Sequence, residues 1–475
     1  MDSWAKEELK YADLGDRRRN RRLMKIVSDL AAHPHASIPE ACGNWAATQG
    51  CYDLWGNPRV KASEIRAAHQ SSTLERIKNQ PIVLAIQDTT EFNFTHHPSK
   101  KGMGYLDSSK SRGLKVHSTF CVSSAGIPLG LLNQEVWARD IQELGKKHDR
   151  HRRATLDKES QRWITALQAT DSVVPPDTIV ITVADAEADI YDLFSTSRNA
   201  NSELLIRGHH NRCVRSSDDD SAEVERLSDV IRRCTPIGQK TLDLKATEKR
   251  APRQAVLTLR TISVEIQPPK NHPHFKTLNP IKVTVILAEE ESPPPDVDPV
   301  SWLLLTTLPV SDVEDLEQCL IWYSYRWLIE RYHYVLKSGC SLEELQLETA
   351  DRIEKALATY SIVAWRLLWL TYISRTHPSA EATKVLEPYQ WQALYCFIHS
   401  VTSPPSTPPT VNQCIRWIAQ LGGFLGRKGD EEPGVKTIWR GLRRLEDIAQ
   451  TWKIFYPSSS PPVNDDYVKK YVSKA

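Results

Sequence analysis

The spacing of apolar positions changes character along the chain. Over residues 1–70 it is helical: Leu23, Ile26, Val27 and Leu30 lie three or four apart, behind an Asp16 suited to cap a helix N-terminus. A second helix is predicted over 43–55, ending before Asn57-Pro58. From residue 81 the pattern turns to strands. The apolar run 81–90 closes on Asp88, and segments 113–124 and 127–138 predict a hairpin around Ala125-Gly126. A charged helix is predicted over 154–169. Segment 178–190 reads as a β-branched buried strand ending at Asp185 and running into a helix, and 203–208 as a further short strand. Meandering strands, a helix and then strand–helix–strand imply an α/β (α+β) layered fold with a mixed sheet.

Residues 210–310 interrupt that order with a polar, Pro-rich stretch holding strand-like runs at 256–266, 281–291 and 301–310. It is expected to form an inserted β-subdomain. One helix is predicted over 321–337. The apolar helix over 358–373 is broken by Arg366, and its length falls short of a bilayer, so it reads as buried core. A Pro/Ser linker (402–410) then leads to a helical end with an amphipathic stretch over 438–452. The expected domains are 1–70 (helical, DNA-end binding), 71–373 (catalytic) and 374–475 (helical, dimerising).

A length of 475 residues exceeds one ordinary core, and 40% hydrophobic with 25% charged residues is the composition of a soluble globular protein. A net charge of +2 announces no nucleic-acid partner. Locally the picture differs, because Arg17, Arg18, Arg19, Arg21, Arg22 and Lys25 crowd one helix. They suit a DNA-contacting module or, equally, a solvated charged face. The nine cysteines include no C-x-x-C pair and read as reduced thiols of a cytoplasmic protein. The charged start MDSWAKEELK lacks the apolar stretch of a secretory signal.

Within 321–337, Tyr323, Arg326, Glu330 and Lys337 follow one another at three, four and seven residues, offsets that return to one helical face. A carboxylate flanked by a phenol and two cations suits an anionic polymer held against a metal. Asp88 and Asp185 each stand where a buried strand ends. If those two strands are neighbours, both carboxylates meet at one sheet edge, and Glu330 approaches from a covering helix. Three acids so placed call for hard divalent cations, Mg²⁺ or Mn²⁺. Two such ions would activate the attacking oxygen and stabilise the leaving one in an in-line phosphoryl displacement.

The series Tyr323, Arg326, Glu330, Lys337 fits the pattern Y-(2)-R-(3)-E-(6)-K. With the blocks LGDRRRNRRL (14–23), AIQDTTEF (85–92), KVHS (115–118), ADAEADI (184–190), SWLLLTTLPV (301–310), YSYRWLIERYH (323–333) and LGGF (421–424), it resembles the bacterial cut-and-paste DDE transposases of the insertion-sequence-four group. The likeness spans nearly the whole chain. It implies an RNase H-like core with Asp88, Asp185 and Glu330 as the metal-binding catalytic triad, and DNA gripped by Tyr323, Arg326 and Lys337. It implies nicking, hairpin formation and resolution, and strand transfer on double-stranded DNA. The partners would be terminal inverted repeats and target DNA, held by a homodimer in a nucleoid-associated complex. Trp302, which alone reads as a core ring beside Leu303–Leu305, would stack on a flipped base.

Arg18, Arg19 and Arg22 fall on the family's basic N-terminal helix and are expected at the terminal repeat. Arg207, His209, His210 and Arg212 follow a strand and are candidates for backbone contact. Glu187 and Asp189 read as structural. A nuclease without strand transfer, or a non-catalytic DNA-binding regulator, would share many of these features.

Overall fold

Residues 2–106, 108, 110–140, 159–216, 223–244 and 251–456 are described by the computed structural model. The first part of the helix expected over 154–169 and the end of the chain lie outside them. Five helices come first: α1 (Ser3–Glu8), α2 (Arg17–Ala32), α3 (Ile38–Cys42), α4 (Trp45–Gly56) and α5 (Ala62–Ile77). Asp16 caps α2 as its sequence predicts, accepting from the Arg18 N–H at 2.7 Å.

The strands then build one mixed sheet: β1 (Ile82–Asn93), β2 (Gly104–Tyr105), β3 (Arg112–Ser123) and β4 (Pro128–Trp137) precede helix α6 (Gln161–Asp171). Strand β5 (Ile179–Ala184), a 3-10 turn (Ala186–Ala188), helix α7 (Tyr191–Ser195) and β6 (Ser202–Arg207) follow. The hairpin β3–β4 turns through Gly126, whose φ of 82° is a conformation glycine adopts without strain. β1 pairs antiparallel with β3 and parallel with β5, and β6 continues parallel to β5. The order β4–β3–β1–β5–β6 is an RNase H-like core. Strands β1 and β5 are therefore central neighbours, and Asp88 and Asp185 meet just past the end of their shared ladder; β1 itself does not end at Asp88 as expected but runs on to Asn93, paired with β3.

The expected insertion holds β7 (Cys213–Ser216), β8 (Glu225–Arg226), α8 (Leu227–Arg233), β9 (Gly238–Leu244), β10 (Arg253–Ile266) and β11 (Ile281–Glu289), and returns through β12 (Ser301–Thr306). It does not close on itself. β12 pairs with β11 on one side and β6 on the other, so the strands extend the core sheet to twelve among the described residues.

Helices α9 (Val313–Ser324) and α10 (Trp327–Tyr334), a π-helical turn (Val335–Gly339) and α11 (Ala350–Thr376) cover one face. The last, at 27 residues, is longer than its sequence pattern suggests. It is long and apolar enough to cross a membrane, yet 83% of its most apolar window is buried within the protein, as befits a central core helix. Arg366 is accommodated there by donating to the Val385 carbonyl at 2.7 Å. The N-terminal helices join the same core: Trp55 of α4 is fully buried and donates to Thr359 of α11 at 3.1 Å. A second N-terminal anchor is Glu8, which accepts from Arg76 of α5 at 2.7 Å and contacts His69 Nδ1 at 2.6 Å.

Helices α12 (Pro388–His399), α13 (Val411–Leu421) and α14 (Val435–Phe455) form a C-terminal cluster with its own core. A Cβ at Gly441 of α14 would stand 1.7 Å from the Ile418 carbonyl oxygen of α13. Gly441→Ala must push these helices apart, at a cost of roughly 1–3 kcal/mol. A lowered unfolding midpoint by circular dichroism checks this expectation, and an unchanged midpoint refutes it.

Candidate active site

The parallel ladder fixes two carboxylates. Its last pair is Ile86 with Val183, and two residues further along each strand stand Asp88 and Asp185. Because strand side chains alternate, both acids keep the face of Ile86 and Val183, toward α9–α11. Asp185 ends its strand as an N-cap, accepting from the Glu187 N–H at 2.9 Å. Burial, then the nearby Asp88 charge, raise the Asp185 carboxyl above its ordinary pKa despite that bond. Asp88 goes the other way. Burial would raise it too, but His333 Nδ1 at 3.4 Å and, more weakly, Arg326 bring it below the ordinary value. Two like charges at the end of the β1–β5 ladder thus depend on cations close by.

The segment 321–337 is not one continuous helix. It tightens at Tyr325–Arg326, where the amides of Tyr325, Arg326, Leu328 and Ile329 each bond three residues back. It then widens into the π-turn, with Cys340 N–H reaching the Val335 carbonyl five residues back at 2.8 Å. Periodicity alone cannot foresee either change. Tyr323 is nearly buried, facing Arg207 and Arg326, and its ring meets Trp302 edge-on at 5.8 Å between centroids. Arg326 Nη2 bonds Glu330 Oε1 at 2.5 Å. Lys337, in the π-turn, lies over the Phe92 ring with Nζ 5.7 Å from its centroid. The four side chains are therefore not a uniform stripe: one cation is engaged by the carboxylate between them.

That ion pair bears on metal binding. Among the described residues no three acidic, histidine or cysteine side chains already converge as a ligand set. Asp88 and Asp185 adjoin, while Glu330 is turned to Arg326. The oxygen-only donor set still fits a hard divalent ion, and Arg326 occupies the counter-charge position that such an ion would take over.

On the opposite face of β1 lies a polar layer whose members, Arg162 apart, fall in the sequence blocks but whose roles their spacing does not announce. Arg162 of α6 donates to Thr89 Oγ1 at 2.8 Å and to Glu187 at 2.8 Å, bridging the residues next to Asp88 and beyond Asp185. Thr89 also contacts His117 Nδ1 at 2.9 Å, and His117 Nε2 lies 3.3 Å from Gln87. Burial, with the Arg162 charge, pushes the His117 pKa down to about 3, so the ring is neutral. No role was expected of His333; its place three residues after Glu330, on the same helical face, is the signal that could have found it.

The other candidates are dispersed. Arg212 is locked in a buried pair with Asp189 at 2.5 Å, and Asp189 also accepts the His209 and His210 amides, each at 2.8 Å. Arg212 therefore holds this loop and does not present its guanidinium to DNA. Arg207 donates to the Ser301 carbonyl at 3.0 Å beside Trp302, in the wall of the site. On α2, Arg18 is 92% exposed, with its Nε 3.6 Å from the Asp16 carboxylate. Arg19 folds back onto the Leu14 carbonyl at 2.8 Å, and Arg22 lies against Gly50 of α4.

A mixed sheet whose central parallel strands deliver adjoining carboxylates beneath an acid-bearing helix defines an RNase H-like phosphoryl-transfer core. Residues 79–366 match the transposase DDE domain model, 1–60 the transposase DNA-binding model and 362–454 the transposase Tn5 dimerisation domain model. The chain belongs to the DDE transposases, enzymes of metal-dependent phosphoryl transfer on DNA, and is built to bind DNA and to form a homodimer.

Proposed function

We propose that this transposase works by cut-and-paste, with Asp88, Asp185 and Glu330 holding two Mg²⁺ or Mn²⁺ ions. The observation that carries this reading is the register placing Asp88 beside Asp185 within the matched DDE domain. When bound, such ions supply activation of the attacking oxygen and charge stabilisation at the leaving one. The protein's part is positioning. His333 and the Thr89–Arg162–Glu187 bridge fix the backbone segments that bear the aspartates. Arg326 balances their charge before loading and turns to a substrate phosphate afterwards. Tyr323 and Lys337 bracket the same backbone, completing the Y-R-E-K set.

Four in-line displacements at phosphorus then follow. Water releases a 3′-OH at the transposon end, and that hydroxyl attacks the opposite strand to close a hairpin. A second water reopens it, and the freed 3′-OH attacks target DNA. Both ends are held together in a synaptic dimer. Arg18, exposed on α2, and Arg207 contact DNA. The test is incubation with candidate end DNA, a target plasmid and Mg²⁺. Joined products are expected. Nicks without joining would favour a nuclease, and binding without nicks a regulator.

Trp302 gives a sharper expectation. Its half-buried ring on β12, edge-on to Tyr323, is available for a flipped base. Stacking contributes about 1–3 kcal/mol against the cost of extrusion. Trp302→Ala should spare the first nick and reduce hairpin formation about tenfold or more, with Trp302→Phe recovering part of it. Equal loss of both steps, read on a denaturing gel, would count against base stacking.

A further inference from the structure

Gln134 of β4 is a buried amide between the sheet and its covering helices, and it stands in line with the aspartates of the active site. Asp88 of β1 pairs with Ser118 of β3, and Ser118 pairs with Gln134 of β4. Directly opposed strand residues share a face, so one row of side chains runs from Asp88 through Ser118 to Gln134, toward α9–α11. At the outer end of this row Gln134 Nε2 donates to three hydroxyl oxygens. They belong to Ser118 at 3.3 Å, Tyr332 of α10 at 3.1 Å and Ser361 of α11 at 3.2 Å. The Ser361 hydroxyl donates back to Gln134 Oε1 at 3.3 Å. All four residues are buried, and burial raises the Tyr332 phenol above its ordinary pKa, so it stays a neutral hydroxyl.

Tyr332 stands two residues after Glu330 and one before His333. Its ring stacks on Phe120 of β3, 5.0 Å between centroids and 22° between planes. That contact holds the helix against the sheet, but apolar packing is non-directional and lets stacked surfaces slide. A hydrogen bond at the tip of the ring has a set length and angle, and it stops such a slide. The helix needs a stop of this kind. It has eight residues, with the tightened turn at Tyr325–Arg326 on one side and the π-turn on the other. Both change the hydrogen-bond period, so neither fixes where Glu330 comes to rest above the strands.

We infer that Gln134 is a positioning residue of the active site: by pinning Tyr332 it sets the place of the Glu330 helix over the Asp88 strand, and so the separation of the carboxylates that would hold a divalent ion. This role rests on the metal-triad reading, and it adds a residue that touches neither metal nor DNA. Core stability does not require the amide. An apolar side chain of similar size fills the same space, and replacing buried hydrogen-bonding partners by apolar groups of the same shape is nearly neutral. What a leucine cannot supply is a fixed direction toward Tyr332.

The test compares Gln134→Leu, Tyr332→Phe and Ser361→Ala in the full-length protein. Mn²⁺ affinity is measured by calorimetry without DNA, and stability by the urea midpoint. Mn²⁺ affinity should fall about tenfold in Gln134→Leu and about threefold in Tyr332→Phe. The double variant should lose no more than Gln134→Leu alone, since both changes break one bond. Ser361→Ala removes a bond of the same amide, but one that leads to α11 and not to the Glu330 helix. Its midpoint should drop at least as far as that of Tyr332→Phe, while its Mn²⁺ affinity stays within about twofold of wild type. Affinity losses that follow the midpoints across all three variants reduce Gln134 to a core residue and overturn the proposal. Unchanged affinity in Tyr332→Phe, the mildest variant and the one that decides if Gln134→Leu does not fold, also overturns it. A wild type that takes up no Mn²⁺ overturns the metal-triad reading, and the positioning role with it.

Discussion

Glu330→Ala is expected to lower strand nicking by about 10³-fold or more while DNA binding stays measurable. That loss corresponds to roughly 4 kcal/mol of transition-state stabilisation. The size follows from two effects acting together. The variant deletes one of three carboxylates, and it releases Arg326 from its 2.5 Å ion pair. The freed guanidinium already feels the Asp88 and Asp185 charges and would settle against them, competing with a divalent ion for the remaining ligands. Glu330→Ala with Arg326→Ala should therefore bind Mn²⁺ more tightly than Glu330→Ala alone, although neither cuts. Nicking of an end-bearing duplex and Mn²⁺ titration by calorimetry are the measurements. Wild-type nicking in Glu330→Ala would remove this residue from the catalytic set.

The site was legible in the sequence where chemistry and local pattern coincide. Asp88 and Asp185 close apolar, β-branched runs, and a buried parallel pair must place such residues together. The pairing itself is not local, so the sequence pattern could give the neighbourhood of the two strands only as a condition, which the register meets. The Tyr323–Lys337 spacing was visible, but its geometry was not. An α-helical period assumes uniform hydrogen bonding, and this segment tightens at Tyr325–Arg326 and widens at Val335–Gly339. Arg162, His117 and Arg212 show the same limit from another side. Each takes its role from a partner brought near by tertiary packing, Thr89 for the first two and Asp189 for the third. The sheet extension by β12 likewise depends on pairing across a hundred residues, which no local run of valines and leucines encodes.

The largest stability effect should come from Glu8, far from the chemistry. Only 3% exposed, it joins α1 to α5 through Arg76 Nη1 at 2.7 Å and His69 at 2.6 Å, while the Leu131 N–H donates to the other His69 nitrogen at 3.1 Å. Burial opposes the Glu8 charge, but His69 and Arg76 outweigh it and leave its pKa below the ordinary value. Burial also lowers the His69 pKa, which keeps that ring neutral and fixes it as donor to Glu8 and acceptor from Leu131. The signs agree. For both groups the unfolded chain takes up protons first on acidification, so stability falls as pH drops, from about 6.5 for histidine and from about 4.5 downward for the carboxylate. Glu8→Ala strands Arg76 beside a neutral ring and should cost about 3–5 kcal/mol, read as a lowered urea midpoint at pH 7. Glu8→Gln preserves shape but has no proton to take up, so its stability should fall less steeply between pH 5 and 4 than that of the wild type. Parallel curves for the two proteins across that window would show that the Glu8 charge does not fasten the first helix to the catalytic core.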